Sequence, residues 1–191
     1  MAKKKTDEPK VYKEHPSVDQ RITDTLRENY MPYAMSVIVS RAIPEIDGFK
    51  PSHRKLLYTM YKMGLLNGNR TKSANIVGQT MRLNPHGDQA IYETMVRLAK
   101  GNESLLHPFV DSKGNFGKVY SRDMAYAASR YTEAKLSPIC AELFRDLDCD
   151  AVDFADNYDN TMKEPTLLPT TYPNVLVSAN QGIAVGMACN I

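Results

Sequence analysis

The chain has 191 residues, of which 42% are apolar and 24% are charged, and it contains no Trp. This length is sufficient to bury a hydrophobic core, and the composition is ordinary for a globular protein. No apolar run approaches the length that spans a bilayer, which argues against a membrane protein. The lysine-rich start of the chain has no apolar stretch behind it, so it is not a secretory signal. We therefore expect a cytoplasmic protein whose residues 1–20 form a flexible basic arm.

Cysteine and histidine give no indication of a metal site. The three cysteines, Cys140, Cys149 and Cys189, are odd in number and lack CxxC spacing, so we expect reduced, structural thiols. The four histidines do not have the spacing of a zinc site. The sequence therefore predicts no metal centre formed by this chain alone.

Charge is distributed unevenly along the chain. Residues 41–135 contain 15 Lys/Arg and 8 Asp/Glu, which gives a net charge of +7. Residues 136–191 contain 2 Lys/Arg and 8 Asp/Glu, which gives a net charge of −6. A locally basic segment is typical of proteins that bind phosphate backbones, because each neutralised phosphate releases condensed counterions. A solvated charged face would give the same pattern, so charge alone does not decide between the two.

Apolar spacing predicts four helices in the first hundred residues. A capping-box pattern at Ser17–Gln20 predicts a helix from about Val18 to Val39, and Pro51 can open a second helix that ends at Gly64. A third helix fits residues 73–83, and Asp88 can cap a fourth that ends before Gly101. The last three helices, joined by tight turns, indicate a helix-turn-helix.

A hairpin and a β-rich region are predicted after these helices. Apolar residues flank a Gly- and Asn-containing turn within residues 109–120, which predicts a hairpin. Helix-turn-helix plus hairpin is the winged-helix arrangement, in which the helix starting at Asp88 would be the recognition helix. A helix is predicted from Pro138 through Leu147, and residues 175–177 and 183–185 are predicted strands. We therefore expect an α+β fold, with a winged-helix domain at 21–148 and a β-rich region at 149–191.

Six segments resemble one protein family. They are Tyr33-Ala-Met-Ser-Val-Ile-Val-Ser-Arg-Ala-Ile-Pro, Gly48-Phe-Lys-Pro-Ser-His-Arg-Lys-Leu-Leu-Tyr, Pro85-His-Gly-Asp, Gly114-Asn-Phe-Gly, Arg130-Tyr-Thr-Glu and Gly182-Ile-Ala-Val-Gly-Met-Ala. Together they resemble the A subunits of DNA gyrase and bacterial topoisomerase IV, the type IIA DNA topoisomerases, from about Asp24 to Ile191. The resemblance implies an N-terminal fragment comprising the DNA-cleavage domain and the start of the tower domain.

The resemblance assigns the nucleophile to Tyr131. In this family a tyrosine forms a transient 5′-phosphotyrosyl bond with DNA, and the aryl phosphate retains the energy needed to reseal the strand. A phenol is mostly protonated at neutral pH, so neighbouring cations or a base must assist, and Arg130 is adjacent. From the residues alone, Tyr131 is one of 11 tyrosines and equally suits a core or interface position.

Motif matching also implies cations that stabilise the transition state. These are Arg41, Lys55 and His86, although Arg41 and Lys55 could be ordinary surface charges and His86 could cap a turn. Ile183 matches an isoleucine that wedges between base pairs, and its alternative is a position in the strand core. The expected DNA contacts are Lys50, His53, Arg54, Lys72, Arg82 and Ile183.

The sequence departs from the family pattern at several positions. Asn84 replaces a usual histidine and cannot donate a proton, and Lys55 replaces a frequent arginine and lacks its bidentate fork. Gln89 stands where a serine, together with the acidic position matched by Glu93, anchors the metal bridge of quinolone drugs. We therefore expect reduced quinolone sensitivity.

The resemblance also implies partners. Mg²⁺ and ATP would be bound mainly by a B subunit in an A2B2 heterotetramer that contains a self-dimer of A subunits and acts on double-stranded DNA in the nucleoid. No GxxxxGK[ST] loop occurs in this chain. A non-catalytic winged-helix paralogue that binds DNA is the alternative. The sequence does not distinguish DNA gyrase from topoisomerase IV.

Overall fold

A computed structural model describes residues 17–99, 105–118 and 125–191. The chain divides into two compact units, one up to Tyr33 and the other from Ala34 onward. Most of the predicted arm at residues 1–20 lies outside the described residues. No helix in the described ranges is long and apolar enough to cross a membrane.

The first helix, α1, spans Ile22–Val37 and begins later than the capping pattern predicts. Residues 17–20 are exposed and not helical, so the predicted cap at Ser17 is wrong. The helix begins instead after Arg21, whose carbonyl accepts the N–H of Asp24 at 3.0 Å and that of Thr25 at 3.1 Å. The Thr25 hydroxyl donates to the same carbonyl at 3.3 Å. This convergence of donors on one carbonyl fixes the first turn.

A short π-helical segment, Ile38–Ala42, follows α1 and contains Arg41. The Ile43 N–H donates to the Ile38 carbonyl at 3.2 Å, which is the i to i+5 hydrogen bond of a π-turn. Such turns are short and frequently occur at functional sites.

Three helices form the centre of the second unit, as predicted: α2 at Pro51–Lys62, α3 at Ser73–Thr80 and α4 at Asp88–Ala99. Gly64, at φ +72°, lies just beyond α2 in the left-handed conformation that glycine adopts most easily. Asp88 is the first helical residue of α4, and its carboxylate accepts the Gln89 N–H at 2.9 Å. The core between these helices is fully buried and includes Leu56, Leu57, Met60, Ile76, Met95 and Leu98.

A three-stranded antiparallel sheet packs against these helices. Its strands are β1 (Thr71–Lys72), β2 (Val110–Lys113) and β3 (Glu133–Leu136), in the order β1-β3-β2. The predicted hairpin within residues 109–120 is wrong in its pairing, because residues 115–118 form no strand and β2 pairs with β3 instead. Gly114 at φ +104° and Gly117 at φ +80° bend the chain away from β2. Val119 and Tyr120 lie outside the described residues.

The remaining elements are short. A 3₁₀ turn at Pro138–Cys140 leads into α5 (Ala141–Phe144), which ends before the predicted Leu147. Two-stranded sheets form from β4 (Phe154–Asp156) with β5 (Lys163–Pro165), and from β6 (Gln181–Ile183) with β7 (Ala188–Asn190).

One predicted strand in this region is a helix. Residues 175–177 belong to α6, Asn174–Val177. The buried Asn174 amide donates to the Asp47 carbonyl at 2.9 Å and accepts a hydrogen bond from the Ser178 hydroxyl at 2.9 Å. These bonds stabilise a helical turn where the valines alone predict a strand. The predicted strand at 183–185 is also displaced, since β6 ends at Ile183. The mixture of helices and sheets confirms the predicted α+β class.

Candidate functional site

A cleft of about 720 Å³ brings together Arg41, Lys55 and His86, the three cations predicted to act on phosphate. Arg41 comes from the π-helical segment, Lys55 from the start of α2, and His86 from the turn before α4. The β4–β5 sheet closes one side. Three distant parts of the sequence therefore line one cavity.

Lys55 is held at the wall of this cleft by two partners. Its ammonium donates to the Leu83 carbonyl at 2.9 Å and forms a salt bridge with Glu164 at 3.1 Å. The two side chains are only 23% and 17% exposed. Sequence reasoning missed Glu164, because an acidic residue in an acidic stretch gives no signal of a distant partner.

The turn before α4 presents His86 to the cleft. The His86 N–H donates to the Asn84 carbonyl at 2.8 Å, and the Gly87 carbonyl accepts the N–H groups of Ala90 and Ile91 in the first turn of α4. His86 is exposed, whereas Asn84 is buried. Both line the cleft, so Asn84, one of the predicted departures from the family pattern, belongs to the same cavity.

Arg54 has a different setting from the DNA contact that the sequence predicts. Its guanidinium is buried and forms a bidentate pair with Asp47, with Nε to Oδ2 at 2.7 Å and NH2 to Oδ1 at 2.9 Å. The same carboxylate accepts the N–H of Phe49 at 3.1 Å and that of Leu168 at 2.9 Å. Arg54 thus forms a structural ion pair with Asp47, and it also lines the cleft of Arg41, Lys55 and His86, so its contact with DNA stays a prediction.

The backbone around Tyr131 is anchored to two helices. The N–H groups of Ser73 and Ala74, at the start of α3, donate to the carbonyls of Thr132 at 3.0 Å and Ser129 at 3.1 Å. The buried Thr132 hydroxyl bonds to the Ser73 hydroxyl at 2.8 Å and to the Tyr92 hydroxyl of α4 at 3.0 Å. The turn that carries Tyr131 therefore supplies the acceptors that the first turn of α3 lacks.

The Tyr131 side chain itself lies at the protein surface. It is 66% exposed, and the Arg130 guanidinium carbon lies 4.7 Å from the centre of its ring. This cation–π geometry keeps a permanent positive charge beside the phenol. Neither residue is among those that line the cleft of Arg41, Lys55 and His86. The predicted nucleophile and its neighbour Arg130 therefore lie outside the lining of this cleft.

A second group of basic residues, Lys50, His53 and Arg97, lines a small cavity beside β6. Burial, followed by the charges of Lys50 and Arg97, lowers the pKa of His53 from its usual value to about 4. Burial and the charge of Arg97 likewise lower the pKa of Lys50. Like charges held together in this way create a site that an anion would stabilise. Sequence reasoning missed Arg97, which resembles an ordinary charge in the last turn of a helix.

The low pKa of His53 predicts a pH-dependent stability. An unfolded histidine, with a pKa near 6.5, binds a proton more readily than folded His53, so protonation favours unfolding. The contribution to stability is present above about pH 6.5 and is lost as the pH falls toward 4, by at most about 3 kcal/mol. Urea unfolding between pH 7.5 and 4.5 should show a smaller loss in His53→Gln than in the parent. An equal loss of stability in His53→Gln and in the parent over this pH range would contradict this expectation.

The hairpin that carries Ile183 adjoins both regions. Ile183 is 88% exposed, so it does not occupy a strand core. Gly182 packs against the Ala42 carbonyl so closely that no β-carbon could be accommodated, and Lys50 donates to the Gln181 carbonyl at 2.7 Å. The exposed isoleucine is therefore fixed relative to both the π-helical segment and the basic cavity.

The two predicted drug-bridge positions contact each other on α4. The Gln89 amide donates to the Glu93 carboxylate at 2.9 Å and to the Tyr126 hydroxyl at 2.8 Å, and that hydroxyl donates to Glu93 at 2.9 Å. These hydrogen bonds, first from Gln89 and then from Tyr126, lower the pKa of Glu93. Tyr126, which the sequence did not single out, completes this network.

Two predicted DNA contacts lie elsewhere on the surface. Lys72 in β1 pairs with Glu133 of β3 at 2.9 Å. Arg82 lies in the exposed turn after α3, where its backbone carbonyl accepts the Asn157 amide at 3.0 Å.

Comparison with known proteins shows the family of this chain. The profile of the family of DNA gyrase and topoisomerase IV A subunits matches residues 41–191. The chain belongs to this family. The predicted relationship is thus confirmed, and the matched residues include Arg41, Lys55, His86, Tyr131 and Ile183.

Individual relatives in the gyrase A family agree. The chain is 50% identical over 176 residues to the DNA gyrase A subunit of Staphylococcus epidermidis, covering 91% of this chain and 19% of that protein. It is 49% identical over 173 residues to the DNA gyrase A subunit of Halalkalibacterium halodurans, covering 89% of this chain and 20% of that protein. The chain spans about a fifth of the length of these relatives.

Proposed function

We propose that this chain is the DNA-cleaving part of the A subunit of a type IIA topoisomerase and that Tyr131 is its nucleophile. The observation that carries the proposal is the exposed phenol of Tyr131, on a hydrogen-bonded turn beside Arg130, in a member of this family. An exposed aromatic side chain on a firmly anchored backbone suits a residue that must reach an outside substrate in a fixed geometry.

The proposed reaction is a reversible transesterification. The phenolic oxygen attacks phosphorus in the DNA backbone, the bond from phosphorus to the 3′ oxygen breaks, and a 5′-phosphotyrosyl bond forms. The phenolic proton leaves and the 3′ oxygen takes up a proton, so the 3′-hydroxyl can later reverse the step. Arg130, Arg41 and His86 would stabilise the charge that develops on the phosphoryl oxygens, and Lys55 would contribute a point charge.

A self-dimer would complete the site. Because Tyr131 and Arg130 do not line the cleft of Arg41, Lys55 and His86, we propose that the tyrosine of one copy meets the cleft of a second copy. Two such sites would place one tyrosine on each strand of a DNA duplex.

The proposed DNA-binding platform is a winged helix made of α2, α3, α4 and the β1-β3-β2 sheet. In this arrangement α4 enters the major groove and the sheet side contacts the backbone. Lys50, His53, Lys72, Arg82 and Ile183 are the proposed DNA contacts. We propose a cleavage domain at residues 21–148, preceded by the arm at 1–20 and followed by the start of a tower domain at 149–191.

Mg²⁺ and ATP belong to a partner in this proposal. Among the described residues, no group of three or more His, Cys, Asp or Glu is placed to hold a metal ion. The proposal therefore assigns no metal ligand to the part of the chain that the structure describes. We propose that a B subunit binds both, in an A2B2 assembly that acts on double-stranded DNA in the cytoplasm and passes one duplex through another.

A cleavage assay tests the proposal. The full-length protein is incubated with B subunit, Mg²⁺ and supercoiled plasmid, and covalent protein–DNA adducts are trapped with detergent. Tyr131→Phe is expected to yield no adducts, since it lacks the attacking oxygen, whereas Tyr158→Phe, at another exposed tyrosine, should behave like the parent. Adducts that persist in Tyr131→Phe would refute the nucleophile, and a parent that binds DNA without forming adducts would favour the non-catalytic paralogue.

Reduced quinolone sensitivity follows from the network of Gln89, Glu93 and Tyr126. A drug-bound metal bridge would have to displace hydrogen bonds that Gln89 and Tyr126 already make to Glu93. Gln89→Ser is expected to lower the quinolone concentration needed for half-maximal cleavage complex by about tenfold, a range typical of one good polar contact. Equal potency against both proteins in the same titration would argue against this role of Gln89.

A further inference from the structure

The ion pair between Lys55 and Glu164 is an unusual feature for a cleft that receives phosphate. Lys55 is one of the predicted phosphate-stabilising cations, yet a carboxylate oxygen lies 3.1 Å from its ammonium in the free chain. A phosphate that entered the cleft would meet this carboxylate as a like charge. The pair therefore opposes, in the free chain, the interaction that the proposed function requires.

The pair is also incompletely satisfied. The second carboxylate oxygen of Glu164, Oε2, is buried and has no hydrogen-bond partner among the described residues. A buried oxygen without a partner loses its hydration and gains nothing in return, which weakens the net contribution of such an ion pair to stability. Lys55, by contrast, keeps the Leu83 carbonyl as a second acceptor at 2.9 Å. The ammonium can therefore exchange Glu164 for another anion without losing its anchor.

The surroundings favour that exchange. Arg41 and His86 line the same cleft, so an incoming phosphate would meet further donors as it approached Lys55. A lysine ammonium has three donors, which allows it to hold the Leu83 carbonyl and a phosphate oxygen together. Glu164 lies on the short β4–β5 sheet, whose strands are each three residues long.

We propose that Glu164 is a positioning residue, which holds Lys55 at the wall of the cleft in an ion pair that a DNA phosphate displaces. The inference rests on the proposed function, because it takes the phosphodiester backbone of double-stranded DNA as the ligand. Glu164 keeps the ammonium ordered before DNA arrives and lowers the affinity of the cleft for phosphate. In its presence, binding requires a duplex seated well enough to replace the carboxylate.

DNA affinity, rather than cleavage, is the measurement that tests this inference. Fluorescence anisotropy with a labelled duplex is carried out on the full-length protein with Tyr131→Phe as the parent, over a series of salt concentrations. Glu164→Gln is expected to tighten binding by about three- to tenfold and to steepen the salt dependence by about one phosphate contact. In a Lys55→Gln background, Glu164→Gln should change the affinity by less than about twofold.

A matched control separates this local effect from net charge. Asp150→Asn removes the same charge at an exposed turn with φ +58°, a conformation that asparagine tolerates, and should change affinity by less than about twofold. Equal effects of Glu164→Gln and Asp150→Asn, weaker binding by Glu164→Gln, or the same gain without Lys55 would each overturn the inference. If Glu164→Gln does not fold, Glu164→Asp should give a smaller gain, and a loss would overturn it. A parent that fails to bind DNA would instead overturn the proposed function.

Discussion

A mixed dimer of Tyr131→Phe and Arg41→Ala chains is expected to nick one strand of plasmid DNA, although the first variant alone is inactive and the second alone is strongly impaired. If the tyrosine of one copy meets the cleft of the other, the mixed dimer contains one intact site and one doubly defective site. The Tyr131→Phe dimer lacks any nucleophile, and the Arg41→Ala dimer should cleave about 10²- to 10³-fold more slowly, as expected for loss of one charge-stabilising group.

The opposite pairing provides the control. A dimer of the wild-type chain with the double variant Tyr131→Phe/Arg41→Ala has no intact site in this arrangement, but keeps one if each chain forms its own site. Two affinity tags on coexpressed chains allow each mixed dimer to be purified and assembled with B subunit, and the nicked fraction is read after detergent treatment. Nicking by this control, together with inactivity of the first mixture, would show that the site lies within one chain.

Asp47→Ala is expected to destabilise the fold by about 3–5 kcal/mol, the largest effect on stability that we predict. The substitution leaves the Arg54 guanidinium buried without its counter-ion and removes the acceptor for the N–H groups of Phe49 and Leu168. Those groups join the start of α2 to the segment after β5, so both regions should loosen together.

Urea unfolding of the 191-residue chain, followed by circular dichroism, measures this loss. Asp111→Ala serves as the matched control, because Asp111 pairs with Arg70 at 2.6 Å but both side chains are about one-third exposed. Exposed pairs contribute less than about 1 kcal/mol, so this variant should unfold close to the parent. Similar losses in the two variants would contradict the structural role assigned to Asp47 and Arg54.

The sequence predicts correctly those elements whose conformation is set by residues within the element itself. Helices α2 and α4 were predicted because apolar residues recur on one face and Gly64 and Asp88 mark their ends. Where a distant group decides the conformation, the prediction is wrong. Asn174 closes a helical turn by bonding to Asp47, and β2 pairs with β3, which lies farther along the sequence than the predicted hairpin partner.

The same distinction applies to the candidate site. Motifs predict roles for Tyr131, Arg41, Lys55 and His86, because each lies in a short segment that resembles the family. They do not identify Glu164, Arg97 or Tyr126, whose roles come from partners far away in sequence. The family match also gives no warning that Arg54 is engaged by Asp47, since burial depends on packing that no short motif encodes.

The anchoring of the Tyr131 turn has a mechanical consequence for the proposed reaction. A DNA end joined to the phenol would be attached through one side chain to hydrogen bonds that reach α3 and, through Tyr92, α4. Tension along the broken strand would then be transmitted to the two helices together rather than absorbed by a slack loop. Each severed DNA end would then move together with the copy of the protein that holds it when the two copies separate. The ends would be realigned for resealing when the copies come together again.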